Sequence, residues 1–261
     1  MTKIYYAIKP PNKSPDNNFN TNPLFNMLDE QLIPLYKDLK QDQDKNVPRQ
    51  GSFFSCRAFI DYTKNMYVFK NPFDIKVRIE KSRVLNLGNR NMDHVFMNRM
   101  VQVQDAYNLN YDPGYVFFSE ESVNIEVMSP FMHRSSFNKN GYIVPGTYDI
   151  SKWFRPLNPA LQLYDNEDRV VESSKGDALM YIKFNCNDNV KLEKFYIDKE
   201  LDSIIYGASG YKNYDPNRSL PYLYDKFEKA GLKKRTLKLI KENLIWRSSH
   251  ISAIIRYSHK G

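Results

Sequence analysis

The chain has 261 residues, of which 41% are hydrophobic, 26% are charged and 14% are aromatic, and its formal net charge is +8. This composition is typical of a globular protein and excludes a disordered chain, and the length allows one large or two modest domains. No apolar run approaches the roughly 18 residues that cross a bilayer, and the N-terminus lacks the apolar core of a signal peptide, so we expect neither membrane association nor secretion by a signal peptide.

The N-terminal part is predicted to form a strand, a loop and a helix. Residues 3–9 favour a short strand, and the polar residues 12–22 favour a loop. Asn22 and Pro23 form a helix start, because Asn caps well and Pro suits the first helical position. Apolar residues follow at a spacing of four, namely Leu24, Leu28 and Leu32. Pro34 interrupts this helix before a further turn at 35–39.

Between residues 52 and 197 the sequence pattern is typical of β-strands. Residues 74–80 alternate apolar and charged side chains, which is the pattern of a strand with one wet face. Further strands are predicted at 66–69, 101–103, 115–118, 122–128 and 142–144. Residues 179–184 and 190–197 flank a polar stretch and predict a hairpin. Because no helices alternate with these strands, we expect antiparallel sheets.

The C-terminal residues are predicted to form two helices. Apolar residues recur at helical spacing from Leu220 to Ala230, Pro221 suits a helix start, and Gly231 suits a helix stop. A second helix is predicted over 232–246. Joined at one glycine, the two helices form a hairpin.

These elements predict a mainly β chain of the α+β class. Its core is an antiparallel β-sandwich or resembles a jelly roll, with an N-terminal helix and a C-terminal helical hairpin added to it. We predict three regions: residues 1–50 as a strand, loop and helix packed on the core, residues 51–206 as the β-sandwich core, and residues 207–261 as a basic helical segment.

The positive charge is concentrated in the last of these regions. Of the 38 Lys and Arg, twelve lie between Tyr211 and Gly261, against four of the 30 Asp and Glu, so the first 210 residues carry 26 of each sign. The β region is therefore formally neutral. Any electrostatic attraction to a polyanion is expected in the C-terminal segment, where the change in composition begins near Gly207 to Gly210.

The predicted last helix carries a basic stripe. Its candidate contacts for nucleic acid or an anionic partner are Lys233, Lys234, Arg235, Lys238 and Lys241. Lys234, Lys238 and Lys241 share one helix face and can neutralise several phosphates. A solvated helix face has the same pattern, so both interpretations stay open.

A second concentrated signal is Trp153-Phe154-Arg155. The three side chains can form an aromatic and cationic surface through stacking and cation–π contacts. The alternative is that the cluster anchors a connection to the hydrophobic core.

The sequence contains little that indicates catalysis. None of its four histidines precedes an acidic residue by two positions, and the chain lacks a Gly-x-Ser-x-Gly motif, a Walker loop and a dinucleotide-binding motif. Two cysteines are too few for a disulfide framework or a zinc site. We expect no cofactor and no metal. The weak enzyme candidates are Cys56, His94 and His133, because a Cys-His pair can form through space.

Several stretches resemble a family of viral proteins. Residues 56–62, 64–65 and 71–74, together with 149–156, 175–179 and 190–192, resemble a recurrent pattern in uncharacterised proteins of large tailed phages, especially marine T4-like ones. The chain departs from that pattern where Arg57 replaces an expected proline after the cysteine. The resemblance implies a phage origin, and it assigns no activity and no catalytic residue.

We therefore expect a phage-encoded, non-catalytic β-sandwich protein that acts by protein–protein binding or self-association, in the host cytoplasm or in the virion. One alternative is a nucleic-acid-binding protein that uses the basic C-terminal helix. A second alternative is an enzyme whose residues converge only in three dimensions.

Overall fold

The computed structural model describes residues 1–9, 32–41, 53–72, 74–80, 83–87, 101–103, 108–133, 137–164, 170–215 and 217–245. These residues form fifteen strands and five α-helices. The strands are β1 Thr2–Ile8, β2 Leu32–Pro34, β3 Met66–Lys70, β4 Ile75–Glu80, β5 Arg83–Asn86, β6 Val101–Val103, β7 Asn108–Tyr111, β8 Tyr115–Phe118, β9 Asn124–Met128, β10 Gly141–Ile143, β11 Gly146–Asp149, β12 Ala160–Leu163, β13 Val170–Ser173, β14 Ala178–Asn185 and β15 Val190–Lys194. The helices are α1 Leu35–Gln41, α2 Arg57–Thr63, α3 Lys199–Tyr214, α4 Leu220–Lys229 and α5 Leu232–Glu242.

The strands form four sheets, whose strand orders are β15-β1-β8, β11-β9-β14-β3-β2, β10-β12-β7-β6 and β13-β4-β5. The pairing of β1 with β15 is parallel, and the other pairings between the described strands are antiparallel. The prediction of a largely β chain with helices and mostly antiparallel sheets is confirmed.

A large apolar core joins strands of different sheets. On β1, Ile4, Tyr6 and Ile8 point into this core, and Tyr5 and Ala7 point to the opposite face, as the period of two requires. Aromatic ring pairs connect the sheets inside the core. Tyr115 of β8 lies 5.5 Å from Phe69 of β3, and Phe117 of β8 lies 5.5 Å from Phe184 of β14, both between ring centroids.

Helices α3, α4 and α5 cover the other face of the β1 and β8 sheet, and we call them the C-terminal cover. Their buried side chains include Leu201, Ile205, Phe227 and Ile240, which pack with Phe118 of β8. The side chains of this cluster are apolar, so burial of apolar area stabilises the packing of these helices on the sheet.

Helices α1 and α2 pack near the five-stranded sheet, and we call them the N-terminal cover. Leu35 and Leu39 of α1 are buried with Met66 and Val68 of β3 and with Tyr181 of β14. This apolar cluster is smaller than the one beneath the C-terminal cover.

The N-terminal predictions have mixed outcomes. The first strand is present as β1, and Pro34 ends β2 directly before α1 begins at Leu35. The helix predicted from Asn22 and Pro23 lies outside the described residues, except for Leu32, which begins a strand.

The predicted hairpin of residues 179–184 and 190–197 is wrong. Strand β14 pairs with β3 and β9, whereas β15 pairs with β1 in another sheet. Asn65 holds the connection, because its side-chain amide donates to the carbonyl oxygens of Cys186 (3.2 Å) and Asp188 (2.7 Å) and accepts the Val190 N–H (3.0 Å). Asn65 has φ 58°, a left-handed conformation that Asn adopts more readily than most residues. These bonds direct the chain away from β14.

The two predicted C-terminal helices are present as α4 and α5, and Gly231 between them has φ 69°. Helix α3 precedes them and was not predicted. The boundary expected at residues 207–210 lies inside α3, so the helical region begins at Lys199. None of the described helices has both the length and the apolar character needed to cross a membrane.

Candidate functional sites

The predicted basic stripe lies on α5, and three of its five cations are paired with carboxylates. Arg235 contacts Glu200 at 2.6 Å, and Lys241 contacts Glu120 at 2.9 Å. Lys238 lies 3.9 Å from Glu242, which is its neighbour one turn further along α5. The stripe is therefore interrupted by negative charge.

Two cations of the stripe are left for a polyanion. Within the described part of the chain, Lys233 and Lys234 have no ion pair, and Lys234 is exposed. A pair of lysines neutralises fewer phosphates than the full stripe, and the salt dependence of binding falls accordingly. The paired Glu120 carboxylate also raises the pKa of Lys241 through a hydrogen bond.

Trp153, Phe154 and Arg155 divide between the surface and the core. Phe154 is fully buried, and its ring packs 5.4 Å from Phe118 beneath the C-terminal cover. Trp153 is partly exposed and stacks on Tyr148 at 5.5 Å, while the Arg155 guanidinium lies 4.6 Å from the indole ring centre. The cation–π contact of Arg155 is therefore made with Trp153 of the same chain.

Arg155 is a partly buried charge with few polar contacts. Its Nε and Nη1 atoms are buried and have no hydrogen-bond partner among the described residues. Burial lowers the pKa of Arg155, and the nearby Tyr148 and Asp112 oppose that shift. Burial also raises the pKa of Asp112. The N–H of Gly114 donates to the Asp112 carboxylate at 2.8 Å and opposes this rise.

The three enzyme candidates are in different situations. Cys56 is an exposed free cysteine directly before α2, and His94 lies outside the described residues. His133 is largely buried and has a carboxylate beside it. Within the described residues, no group of three or more His, Cys, Asp or Glu is arranged to hold a metal ion.

His133 is the centre of a buried hydrogen-bond network. Its Nε2 lies 2.9 Å from Oδ2 of Asp38 on α1, and its Nδ1 lies 2.6 Å from the hydroxyl of Tyr181 on β14. The second oxygen of Asp38 lies 2.8 Å from the ammonium of Lys70 on β3. The backbone N–H of Met132 donates to the Tyr181 hydroxyl at 3.1 Å.

In this network the side chains of Asp38, His133 and Tyr181 all have hydrogen-bond partners. An ionised carboxylate only accepts hydrogen bonds, so Asp38 accepts from Nε2 of His133 and from Lys70. With the ring protonated at Nε2, Nδ1 accepts the hydroxyl proton of Tyr181. Burial favours a raised pKa for Asp38, but the hydrogen bonds from His133 and Lys70, together with the charge of Lys70, outweigh it, and the pKa is lowered.

The network connects α1 and the loop before residue 134 to the sheet. Asp38 is only 2% exposed and Tyr181 is fully buried, and burial raises the pKa of the Tyr181 hydroxyl far above its ordinary range. A substrate does not reach either group without a rearrangement, so the geometry favours a positioning role. The sequence singled out His133 but not Asp38, which is 95 positions away.

Aromatic side chains that are partly or largely exposed lie near this network. We call Phe53, Phe54, Phe59, Tyr62 and Phe131 the aromatic surface. Three of them are about half exposed: Phe53 (55%), Tyr62 (44%) and Phe131 (56%). Phe53 lies 4.4 Å from Phe54 and 4.8 Å from Phe59, and Tyr62 lies 6.5 Å from Phe131, between ring centroids.

The aromatic surface rests on buried groups. The ring of Phe131 contacts that of Tyr181 at 5.4 Å, and Phe54 and Phe59 pack against the apolar cluster beneath α1. The ammonium of Lys183 lies 4.6 Å from the ring centre of Tyr62 and adds a positive charge to the rim. The sequence analysis did not select these residues, because their proximity depends on the tertiary fold.

No protein-family model, no curated protein and no solved structure matches this chain. No activity, ligand or partner is therefore transferred to it from a relative.

Proposed function

We propose that this chain is a phage-encoded, non-catalytic protein that binds another protein through its aromatic surface, in the host cytoplasm or in the virion. The observation that carries the proposal is that three aromatic side chains, Phe53, Tyr62 and Phe131, are about half exposed, with the ring of Tyr62 6.5 Å from that of Phe131. Aromatic residues are enriched in protein interfaces, and neighbouring exposed apolar groups mark interaction sites. The resemblance to proteins of tailed phages supports the origin.

The hydrogen bonds beneath the aromatic surface hold it in place before a partner binds. Phe131 is next to Met132, whose N–H is bound by Tyr181, and His133 is held by Asp38. A surface that is already positioned loses less conformational entropy when a partner binds, and affinity rises accordingly.

We also propose that the β core is a sandwich. The support is the shared core between the β1 and β8 face and the β3 and β14 face, with aromatic pairs between them at 5.5 Å. In such an arrangement the helical covers lie on opposite outer faces.

Nucleic-acid binding has weaker support. Arg235, Lys238 and Lys241 contact carboxylates of the same chain, and among the described residues only Lys233 and Lys234 of the stripe have no ion pair. If nucleic acid is the partner, a mobility shift should appear at about 50 mM salt and weaken steeply by about 200 mM.

The test is affinity capture from a lysate of infected cells with two matched variants. One variant combines Phe53→Ser, Tyr62→Ser and Phe131→Ser. The control combines Tyr206→Ser, Tyr211→Ser and Tyr214→Ser, which remove exposed aromatic rings from α3. We expect the unmodified chain and the control to capture the same protein, and the first variant to lose about tenfold or more of the capture.

Two results would contradict the proposal. One is equal capture by the unmodified chain and the aromatic-surface variant. The other is a loss confined to the α3 control, which would place the contact on that helix. Circular dichroism of both variants checks that each has folded.

A further inference from the structure

The sheet formed by β10, β12, β7 and β6 has an outer face whose described residues are uncharged. Its inner side chains, among them Ile143, Leu109 and Leu161, belong to the apolar core. The described outward residues, which we call the Tyr142 face, are Asn108, Asn110, Tyr142, Val144, Ala160, Gln162 and Tyr164. Hydrogen bonds from Val144 N–H to Ala160 and from Tyr164 N–H to Asn140, both 2.9 Å, extend the pairing of β10 and β12 past the strand ends.

None of the seven residues of the Tyr142 face is charged, although 26% of the chain is charged. A solvated face of a sheet ordinarily carries Lys, Glu and Asp among its outward residues. This face carries two tyrosines, three side-chain amides, one valine and one alanine instead. A strongly charged partner finds no counter-charge on it.

The two tyrosines form an aromatic strip. The rings of Tyr142 and Tyr164 lie 5.9 Å apart with 40° between their planes, and the two residues are 40% and 47% exposed. Their hydroxyls, which carry no hydrogen bond to any other described residue, are available to a ligand.

The register places amides beside this strip. Gln162 lies opposite Tyr142 on one side and opposite Asn108 on the other, so one row crosses three strands. With neighbouring strands about 4.8 Å apart, the row spans about 10 Å. Ala160, two positions before Gln162 on β12, lies opposite Asn110, so a small side chain lies beside this row.

We propose that the Tyr142 face binds a neutral polysaccharide. The C–H faces of sugar rings stack on aromatic rings, and sugar hydroxyls exchange hydrogen bonds with amides and phenols. Neither contact needs a charged side chain. The face provides both kinds of group in one uncharged area, and this site is separate from the aromatic surface proposed above for protein binding.

The test is native gel electrophoresis of the full chain in gels cast with soluble polysaccharides. The neutral probes are dextran, galactomannan, xyloglucan and mixed-linkage β-glucan, and alginate is the anionic reference. We expect retardation by at least one neutral probe and none by alginate.

The variants decide where the binding occurs. Tyr142→Ala combined with Tyr164→Ala should weaken the apparent affinity by about tenfold or more, because both ring faces are lost. Tyr142→Phe keeps the ring and should retain most of the binding. Tyr206→Ala, which removes a tyrosine that is 76% exposed on α3, should have no effect.

Four results would overturn the proposal. They are no retardation by any neutral probe, retardation by alginate alone, retardation that the Tyr142→Ala and Tyr164→Ala variant keeps, and a dimer in light scattering that this variant dissociates. The last result would show that a second copy of the chain covers the face.

Discussion

The two helical covers of the β core are attached to it by different chemistry. Beneath the C-terminal cover, Phe118, Phe227 and Ile240 pack in an apolar layer, and the ion pairs of that cover lie outside on the surface. Beneath the N-terminal cover the apolar layer is smaller, and Asp38 and His133 form a buried polar network next to it.

This difference has consequences for position as well as stability. Apolar burial is not directional, and the placement of a helix held by it depends on how the side chains interlock. Hydrogen bonds in a buried network are directional, and leaving one unmade is costly. The loop that contains His133 also carries Phe131, so the polar network positions one edge of the aromatic surface.

The largest expected effect is on the apolar side. Phe118→Ala should lower the free energy of unfolding by about 4 kcal/mol, because it removes a fully buried ring and leaves a cavity between β8 and the C-terminal cover. Urea unfolding followed by circular dichroism measures the change. A loss below about 1 kcal/mol would show that the apolar layer does not hold the cover.

Beneath the N-terminal cover, a substitution at Asp38 should lower the free energy of unfolding nearly as much. Asp38→Ala should cost about 3 kcal/mol, because Lys70 and His133 lose their acceptor in a mostly buried site. The same urea experiment measures it, with Asp61→Ala on the exposed surface of α2 as the control. Equal stability of the two variants would contradict a structural role for the network.

The pH dependence of that cost follows from the lowered pKa of Asp38. The stabilisation from this carboxylate is fully present above its unfolded value of 3.8 and is lost as the pH falls through the lower folded value. The difference in urea midpoint between the unmodified chain and Asp38→Asn should therefore be largest above about pH 5 and shrink as the pH falls below that. A difference that grows on acidification would have the wrong sign.

The smallest effect is expected at the surface of the C-terminal cover. Glu200→Ala removes the partner of Arg235, but both side chains are largely exposed, so the unfolding free energy should change by less than about 1 kcal/mol. The urea midpoint measures it. A larger loss would mean that ion pairs share in holding this cover.

Local patterns predicted the elements whose burial is regular. The alternation around Ile75 and Val77 predicted β4, and the apolar spacing before Gly231 predicted α4. The pairing of β15 with β1 was not predictable in this way, because the hydrogen bonds of Asn65 to the 186–190 connection join residues more than a hundred positions apart. Helix α3 was missed because Gly207 and Gly210 lie in its second half and indicate a break.

The candidate sites were less predictable than the fold. The sequence analysis selected His133 for its chemistry alone, and its partners Asp38 and Tyr181 come from separate elements. The aromatic surface likewise combines Phe53 and Tyr62 with Phe131, which is distant in sequence. Such constellations depend on tertiary contacts that carry no periodic signal.

The most direct test of the central proposal is photo-cross-linking in infected cells from one position of the aromatic surface. The cross-linker p-benzoylphenylalanine replaces Phe131, and in a matched control it replaces Tyr206 of α3, which is more exposed. We expect one protein to be cross-linked from position 131 and not from position 206. No cross-linked protein from position 131, or the same protein from both positions, would contradict it.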